Sequence, residues 1–99
     1  MLTIIAKLKV HAGQEATFER ACREMVDHVK THEHDTLTYL LHRSRRDPRT
    51  FVFFERYGNR AALDAHTQSA QMAKLLEAIG PLLDGPPEIE TYEEIDGKR

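Results

Sequence analysis

The sequence predicts a small α+β domain in which helices pack on one face of a four-stranded antiparallel sheet. Three observations lead to this prediction. Segments at both ends of the chain alternate apolar and polar residues, as half-buried strands do. Two segments near the centre, rich in aromatic and β-branched residues, are joined by a short turn. Each of the two intervals between these strands spaces its apolar residues as a helix does.

The first two predicted elements are a strand and a long helix. Residues 2–10 alternate, with one face formed by Leu2, Ile4, Ala6, Leu8 and Val10. Gly13 ends this strand, and residues 14–32 then form a helix whose apolar stripe contains Phe18, Ala21, Cys22, Met25 and Val29. Because Cys22 lies within the stripe, we interpret it as a small buried hydrophobic residue rather than a reactive thiol. A single cysteine also excludes an intramolecular disulfide.

The next two predicted elements form a β-hairpin. Residues 36–44 make its first strand and residues 50–57 its second, with Asp47 and Pro48 supplying the turn. Alternation places four residues of the second strand on one face: Phe51, Phe53, Glu55 and Tyr57. We expect the same side of the sheet to carry Leu37, Tyr39 and Leu41 from the first strand.

A helical region broken in two follows the hairpin. Asn59 is predicted to cap a helix over residues 60–67, and Ser69 to cap a second piece over residues 70–79. Gly80 and Pro81 end that piece.

The chain finishes with a strand over residues 88–95, which alternates again after the turn-forming residues 84–87. The resulting order, β-α-β-β-α-β, is typical of the ferredoxin-like arrangement.

Length and charge restrict the class of protein. The 99 residues are expected to form a single domain, residues 1–99. The net charge of −2 creates no general attraction for nucleic acid or an anionic membrane. The apolar run at the N-terminus is too short for a signal peptide or a membrane span. We therefore expect a soluble, cytoplasmic protein that binds neither nucleic acid nor membrane.

One face of the predicted sheet lacks a helical cover although it is apolar. The residues expected on this face are Ile5, Leu40, Val52, Phe54 and Tyr92. An exposed apolar patch of this size usually marks an interaction surface. We therefore predict a homodimer in which two copies bury their open sheet faces against each other.

Three short segments carry a resemblance to a known family. They are L-T-Y at residues 37–39, F-F-E-R-Y at residues 53–57, and A-L-D-A-H at residues 62–66 with Ser69 shortly after. With these segments the chain resembles the antibiotic biosynthesis monooxygenase (ABM) domain family, which are dimeric α+β barrel proteins. The resemblance implies a homodimer with a pocket in each protomer between sheet and helices. Some members oxidise quinol-like or polyketide substrates with molecular oxygen and without metal or flavin.

The candidate catalytic residues are His66 and Glu55. His66 shares a helical face with Ala62 and Leu63 and should point toward the sheet. A histidine near a carboxylate in an apolar pocket can accept a proton near neutral pH, with the acid orienting the ring. Candidate substrate-binding residues are Tyr39 and Tyr57, as hydrogen-bond donors to an oxyanion, and Phe51 and Phe53, as apolar walls.

From this pattern we predict a cofactor-independent monooxygenase or oxidoreductase acting on a small aromatic or quinol-like metabolite, with no cofactor and no metal. The same base would also serve an isomerase that moves a proton next to a carbonyl. A third interpretation is a non-catalytic small-molecule-binding or stress-associated dimer, in which a buried Glu–His pair only satisfies its own hydrogen bonds.

Three further sites receive less support. His28 and His32 are spaced as metal ligands can be, but cationic side chains at the end of a helix also favour its dipole. The basic residues 43–49 beside strand aromatics invite an RNA-binding interpretation, yet the glycines typical of that motif are absent.

Haem degradation, which some relatives perform, is disfavoured by the residues at the matching positions. The resemblance would require a tryptophan in the pocket and an asparagine on the first strand. This chain has no tryptophan, and Ala6 holds the strand position. The haem-ligating histidine would lie in the later helical region, which instead contains Gln71, Met72, Ala73 and Lys74.

Overall fold

A computed structural model describes all 99 residues and contains four strands and three helices. The predicted order is confirmed, including the division of the second helical region into two helices. The elements are β1 (Leu2–Lys9), α1 (Glu15–His32), β2 (Thr36–Arg43), β3 (Thr50–Tyr57), α2 (Arg60–Thr67), α3 (Ala70–Ile79) and β4 (Glu88–Glu93). No helix combines the length and the apolar character needed to cross a membrane.

The four strands form one antiparallel sheet in the order β2-β3-β1-β4. This order confirms the ferredoxin-like topology. β1 lies at the centre, where Ile4 pairs with Glu55 on β3 and with Thr91 on β4. β2 and β4 are the edge strands.

The ends of several elements differ from the predicted ones by one or two residues. β1 stops at Lys9, and Val10 forms an isolated bridge with Leu83. Gly80 and Pro81 do not end the helical region at once, because a short 3-10 turn over Gly80–Leu82 follows α3. Proline fits there, since the first turn of a helix leaves its backbone nitrogen without an acceptor.

Both predicted caps of the second helical region are confirmed. The Asn59 side chain accepts a hydrogen bond from the Ala62 backbone N–H at 2.9 Å, and the Ser69 hydroxyl oxygen accepts one from Met72 at 3.1 Å. The Ser69 hydroxyl also donates to the carbonyl oxygen of His66 at 2.9 Å. The loop between α2 and α3 thereby fixes the backbone that carries His66.

A continuous apolar core fills most of the space between the sheet and the helices. Its largest members include Phe18 and Met25 from α1, Phe51 from β3 and Ile79 from α3, all at most 2% exposed. Cys22 is also fully buried in this core, which confirms its interpretation as a hydrophobic residue. A second, smaller cluster of Ile4, Tyr57, Ala62 and Leu63 lies under α2.

The opposite face of the sheet has no helical cover, as predicted. Register places Ile5 beside Phe54 and Leu40 beside the same residue on the other strand. In the single chain Leu40 is 51% exposed and Tyr92 is 46% exposed. The face thus exposes large apolar side chains, alongside charged ones such as Lys7 and Glu90.

Candidate active site

A buried polar cluster interrupts the apolar interior where α2 meets β2 and β3. His66 is 1% exposed and Glu55 is 7% exposed, although both side chains are ionisable. Burying an ionisable group costs free energy unless the group is paired with a suitable partner. The contacts of both side chains come from α2, β2, β3 and the loop after α1.

The hydrogen bond that orients the imidazole comes from Glu33. The His66 Nδ1 atom lies 2.7 Å from Oε1 of Glu33, the residue that follows α1. The hydroxyl of Thr36, the first residue of β2, donates to the same carboxylate oxygen at 2.8 Å. Glu33 is therefore held from both sides at the junction between α1 and β2.

Glu55 occupies the other side of the imidazole. Its Oε1 atom lies 3.8 Å from Nε2 of His66, too far for a hydrogen bond, and accepts a hydrogen bond from the Tyr57 hydroxyl at 2.7 Å. The orienting role that the sequence predicted for Glu55 therefore falls to Glu33. The Glu55 carboxyl group faces Nε2 of the ring instead.

Sequence reasoning missed Glu33 because 33 residues separate it from His66 in the chain. It follows His32, which the sequence suggested only as a possible metal ligand. The available signal was its position three residues before Thr36, between the end of a helix and the start of a strand. Such a residue can turn back over the helix end and enter the interior.

Aromatic rings enclose the imidazole. The Tyr39 ring meets it edge-on with centroids 5.0 Å apart, and the Tyr57 centroid lies 5.5 Å away. Phe53 stacks on Tyr39 at 4.9 Å. Phe51 instead packs on Phe18 at 4.7 Å within the main core, so of the two predicted apolar walls only Phe53 adjoins the His66 environment.

Burial dominates the electrostatics of the cluster. It raises the pKa of Glu55, an effect opposed by the Tyr57 hydrogen bond and by nearby His66. Burial likewise raises the pKa of Tyr39 and of Tyr57, each helped by the charge of Glu55. Both phenols therefore stay protonated near neutral pH and can act as hydrogen-bond donors.

Two surface clefts border this cluster between α1 and the edge strand β2. They measure about 350 and 320 Å³ and share Val26, Lys30 and Tyr39 as lining residues. Glu33 lines the second cleft, whereas His66 lines neither. Both clefts are therefore lined by Tyr39, and the imidazole of His66 borders neither of them.

The histidines at the end of α1 do not form a metal site. The rings of His28 and His32 stack with centroids 4.9 Å apart, and no group of three or more His, Cys, Asp or Glu residues is arranged to hold an ion. His28 instead faces Glu33, with its Nε2 atom 3.7 Å from Glu33 Oε2.

Fold and site together define a class of protein: a one-sheet α+β domain with an acid–base cluster buried under the helices and an open apolar sheet face. Comparison with known proteins specifies the family. The model of the antibiotic biosynthesis monooxygenase family matches residues 1–78, and the chain belongs to that family.

Solved structures agree with this assignment. A Caulobacter crescentus protein assigned to the antibiotic biosynthesis monooxygenases is 28% identical, with a TM-score of 0.92, and the match covers 96% of this chain and 90% of that one. A Pseudomonas aeruginosa protein is 26% identical, with a TM-score of 0.87 and coverage of 96% and 94%. An uncharacterised Synechocystis protein is 26% identical over 92% of this chain, which spans 61% of that protein's length.

Proposed function

We propose that the protein is a cofactor-independent monooxygenase of small aromatic or quinol-like compounds. The observation that supports this most strongly is the environment of His66. One ring nitrogen bonds a carboxylate, while the other, Nε2, is buried without any hydrogen-bond partner among aromatic side chains. A general base requires a partner that orients its ring and a second nitrogen that is free to accept a proton. The carboxylate hydrogen-bonded to Nδ1, the unpaired Nε2 and the aromatic neighbours meet these requirements.

The hydrogen bond to Glu33 selects the tautomer of neutral His66. A carboxylate accepts hydrogen bonds, so Nδ1 of neutral His66 carries the proton and Nε2 keeps its lone pair. An unprotonated Nε2 can remove a proton from a phenol. The same carboxylate then stabilises the imidazolium that forms.

The proposed reaction needs only the substrate and molecular oxygen. Nε2 takes the hydroxyl proton of a hydroquinone, and the electron-rich anion passes one electron to O₂. The resulting radical and superoxide combine through a new ring C–O bond to give a peroxide. Protonation of this peroxide by His66 gives a hydroperoxide. The ring carbon that carries it then loses its proton and forms a C=O bond while the O–O bond breaks, and the departing hydroxide takes up a proton to form water, so that hydroquinone and O₂ give hydroxyquinone and H₂O.

Tyr39 is the proposed gate between cleft and base. Its side chain contacts His66 on one side and lines both clefts on the other. It is carried by the edge strand β2, so its ring can rotate outward without displacing another strand. Rotation would connect Nε2 with the cleft and leave the phenol positioned to hydrogen-bond a substrate oxygen.

Tyr57 and Glu55 have a supporting role in this proposal. Because the Tyr57 hydroxyl donates to Glu55, the carboxyl oxygen facing Nε2 is held in place. Raising the pKa of Glu55 favours its neutral form, which keeps a negative charge away from the anionic substrate.

The proposed assembly is a homodimer through the open sheet face. Leu40 is 51% exposed on this face, so a charged residue there should separate the two copies. Sedimentation velocity of Leu40→Arg should show a monomer. Leu76→Arg provides the control, because Leu76 is 55% exposed on α3, away from the sheet; a monomer in both variants would argue against this face.

The decisive experiment compares His66→Ala with His11→Ala, an exposed histidine outside the cluster. Oxygen uptake and product mass are measured with hydroquinone and larger quinols, and circular dichroism checks folding. We expect His66→Ala to lose turnover by at least about a hundredfold and His11→Ala to retain it. Full turnover by folded His66→Ala would exclude His66 as the base.

Burial of His66 also favours a second candidate, a non-catalytic small-molecule-binding dimer. This function predicts thermal stabilisation by ligands without any product. A proton-transfer isomerase would instead retain turnover when oxygen is removed. Anaerobic and aerobic assays of the same preparation therefore separate the three functions.

A further inference from the structure

The buried imidazole of His66 has one chain of polar contacts that leads to solvent. Its Nδ1 atom contacts Glu33, whose side chain is 14% exposed, and the other Glu33 oxygen faces His28, whose side chain is 26% exposed. On the Nε2 side, Glu55 and Tyr57 bond each other and are themselves buried. Exposure therefore increases stepwise only along the Glu33 side.

We propose that Glu33 and His28 form a proton relay that fixes the tautomer of His66 and connects it to solvent. Glu33 is a positioning residue here, and His28 is the outer terminus. A role of this relay in catalysis rests on the proposed function. The tautomer and the proton exchange themselves are properties of the protein without substrate.

The geometry of Glu33 supports a relay more than a simple ion pair. Oε1 accepts two hydrogen bonds, from His66 and from Thr36. Oε2 is buried and has no hydrogen-bond partner, at 3.7 Å from Nε2 of His28. An unpaired buried carboxylate oxygen is costly, and a small rotation of the partly exposed His28 ring would bring the two atoms within hydrogen-bond distance.

A proton can then move in two steps without any other reactant. The Nδ1 proton of an imidazolium at His66 passes to Oε1 of Glu33. The neutral carboxyl group then turns about its Cγ–Cδ bond, and the same oxygen passes this proton to Nε2 of a neutral His28. His28 releases a proton to water. The relay returns in the opposite direction when His66 needs its Nδ1 proton again.

Other charged groups near the relay do not provide a second route. Lys30 and His34 line the cleft beside Glu33, but neither forms an ion pair or side-chain hydrogen bond with it. His32 stacks on His28 and forms no ion pair with Glu33. His32 is therefore the matched control for His28.

The tautomer is tested by NMR of ¹⁵N-labelled protein without substrate. At a pH where His66 is neutral, the wild type should carry its proton on Nδ1. In Glu33→Gln the side-chain amide can donate to Nδ1, so the Nε2-protonated form should increase until it is the major species. Retention of the Nδ1-protonated form in folded Glu33→Gln would overturn the positioning role.

The relay is tested by the exchange of the Nδ1 proton with solvent. We expect His28→Gln to slow this exchange several-fold while leaving the tautomer unchanged, and His32→Gln to leave both unchanged. Equal exchange rates in wild type and His28→Gln would overturn the relay. Both His variants change partly exposed or exposed residues, so they keep the test valid even if Glu33→Gln does not fold.

These readouts separate the relay from the proposed function. If His66→Ala retains oxygenase turnover, the monooxygenase mechanism fails while the NMR results stand. If the NMR results are negative and His66→Ala is inactive, the base is retained and the relay fails.

Discussion

The two ends of strand β3 face the same interior but differ in chemistry. At the start of the strand, Phe51 packs against Phe18 in the part of the core that also contains the thiol of Cys22. At the other end, Glu55 and Tyr57 contact His66. The same alternation buries both ends, so backbone geometry cannot explain the difference.

The two ends contribute to the free energy of folding with opposite signs. Burying a phenylalanine contributes about 1.5–3 kcal/mol relative to leaving it exposed. Burying a carboxyl group or an imidazole costs free energy, which its partners only partly recover. The apolar end of the interior therefore offsets the cost of burying the polar end.

The largest effect is expected at the apolar end. Phe18→Ala removes a fully buried ring and leaves a cavity against Phe51, so it should lower the free energy of unfolding by about 3–5 kcal/mol. Urea denaturation measures this loss. A loss below about 1 kcal/mol would mean that the apolar end is not the main source of stability.

A smaller loss is expected at the polar end. Glu33→Ala leaves Nδ1 of His66 buried without a partner, which should cost about 1–3 kcal/mol. In the double variant with His66→Ala the cost of the second substitution should fall, because the unpaired donor is gone. Additive losses in this double-mutant cycle would show that the two side chains are not coupled.

The sequence predicted the apolar end better than the polar one. The alternation of β3 identified Phe51, Phe53, Glu55 and Tyr57 as inward-facing, and all four are buried. Helical spacing likewise identified the buried position of His66. Periodicity succeeds here because burial within one element depends on local geometry alone.

Contacts between elements could not be read from periodicity. The partnership of Glu33 with His66 depends on how the loop after α1 turns, and the exposure of Leu37 depends on an irregularity in pairing between Thr36 and Thr38. A β-bulge of this kind shifts which residues face inward. The location of the clefts follows from the same tertiary details.

The stability of the polar end should depend on pH through Glu55. Burial raises the pKa of Glu55 above that of the unfolded chain, so its protonated form is favoured in the folded state. Wild type therefore loses stability relative to Glu55→Gln as the pH rises through the raised pKa. Glutamine can still accept the Tyr57 hydrogen bond, which isolates the effect of the charge.

The melting temperatures of wild type and Glu55→Gln should be similar at about pH 4, where a glutamate is largely protonated. They should diverge as the pH rises, with the variant more stable above neutrality. Thermal denaturation at a series of pH values measures this difference. A wild type that is the more stable of the two at high pH would indicate that the charged form of Glu55 is favoured.

The smallest effect is expected at Cys22, the one titratable side chain of the apolar end. Burial, with a contribution from the charge of Glu19, raises the pKa of its thiol to about 12. The thiolate is the reactive form, and the side chain is fully buried, so a thiol reagent at neutral pH should modify Cys22 only when the protein unfolds. The modification rate should then rise with urea in parallel with the unfolded fraction. Rapid modification without denaturant would show that the apolar end opens locally and is less stable than its burial indicates.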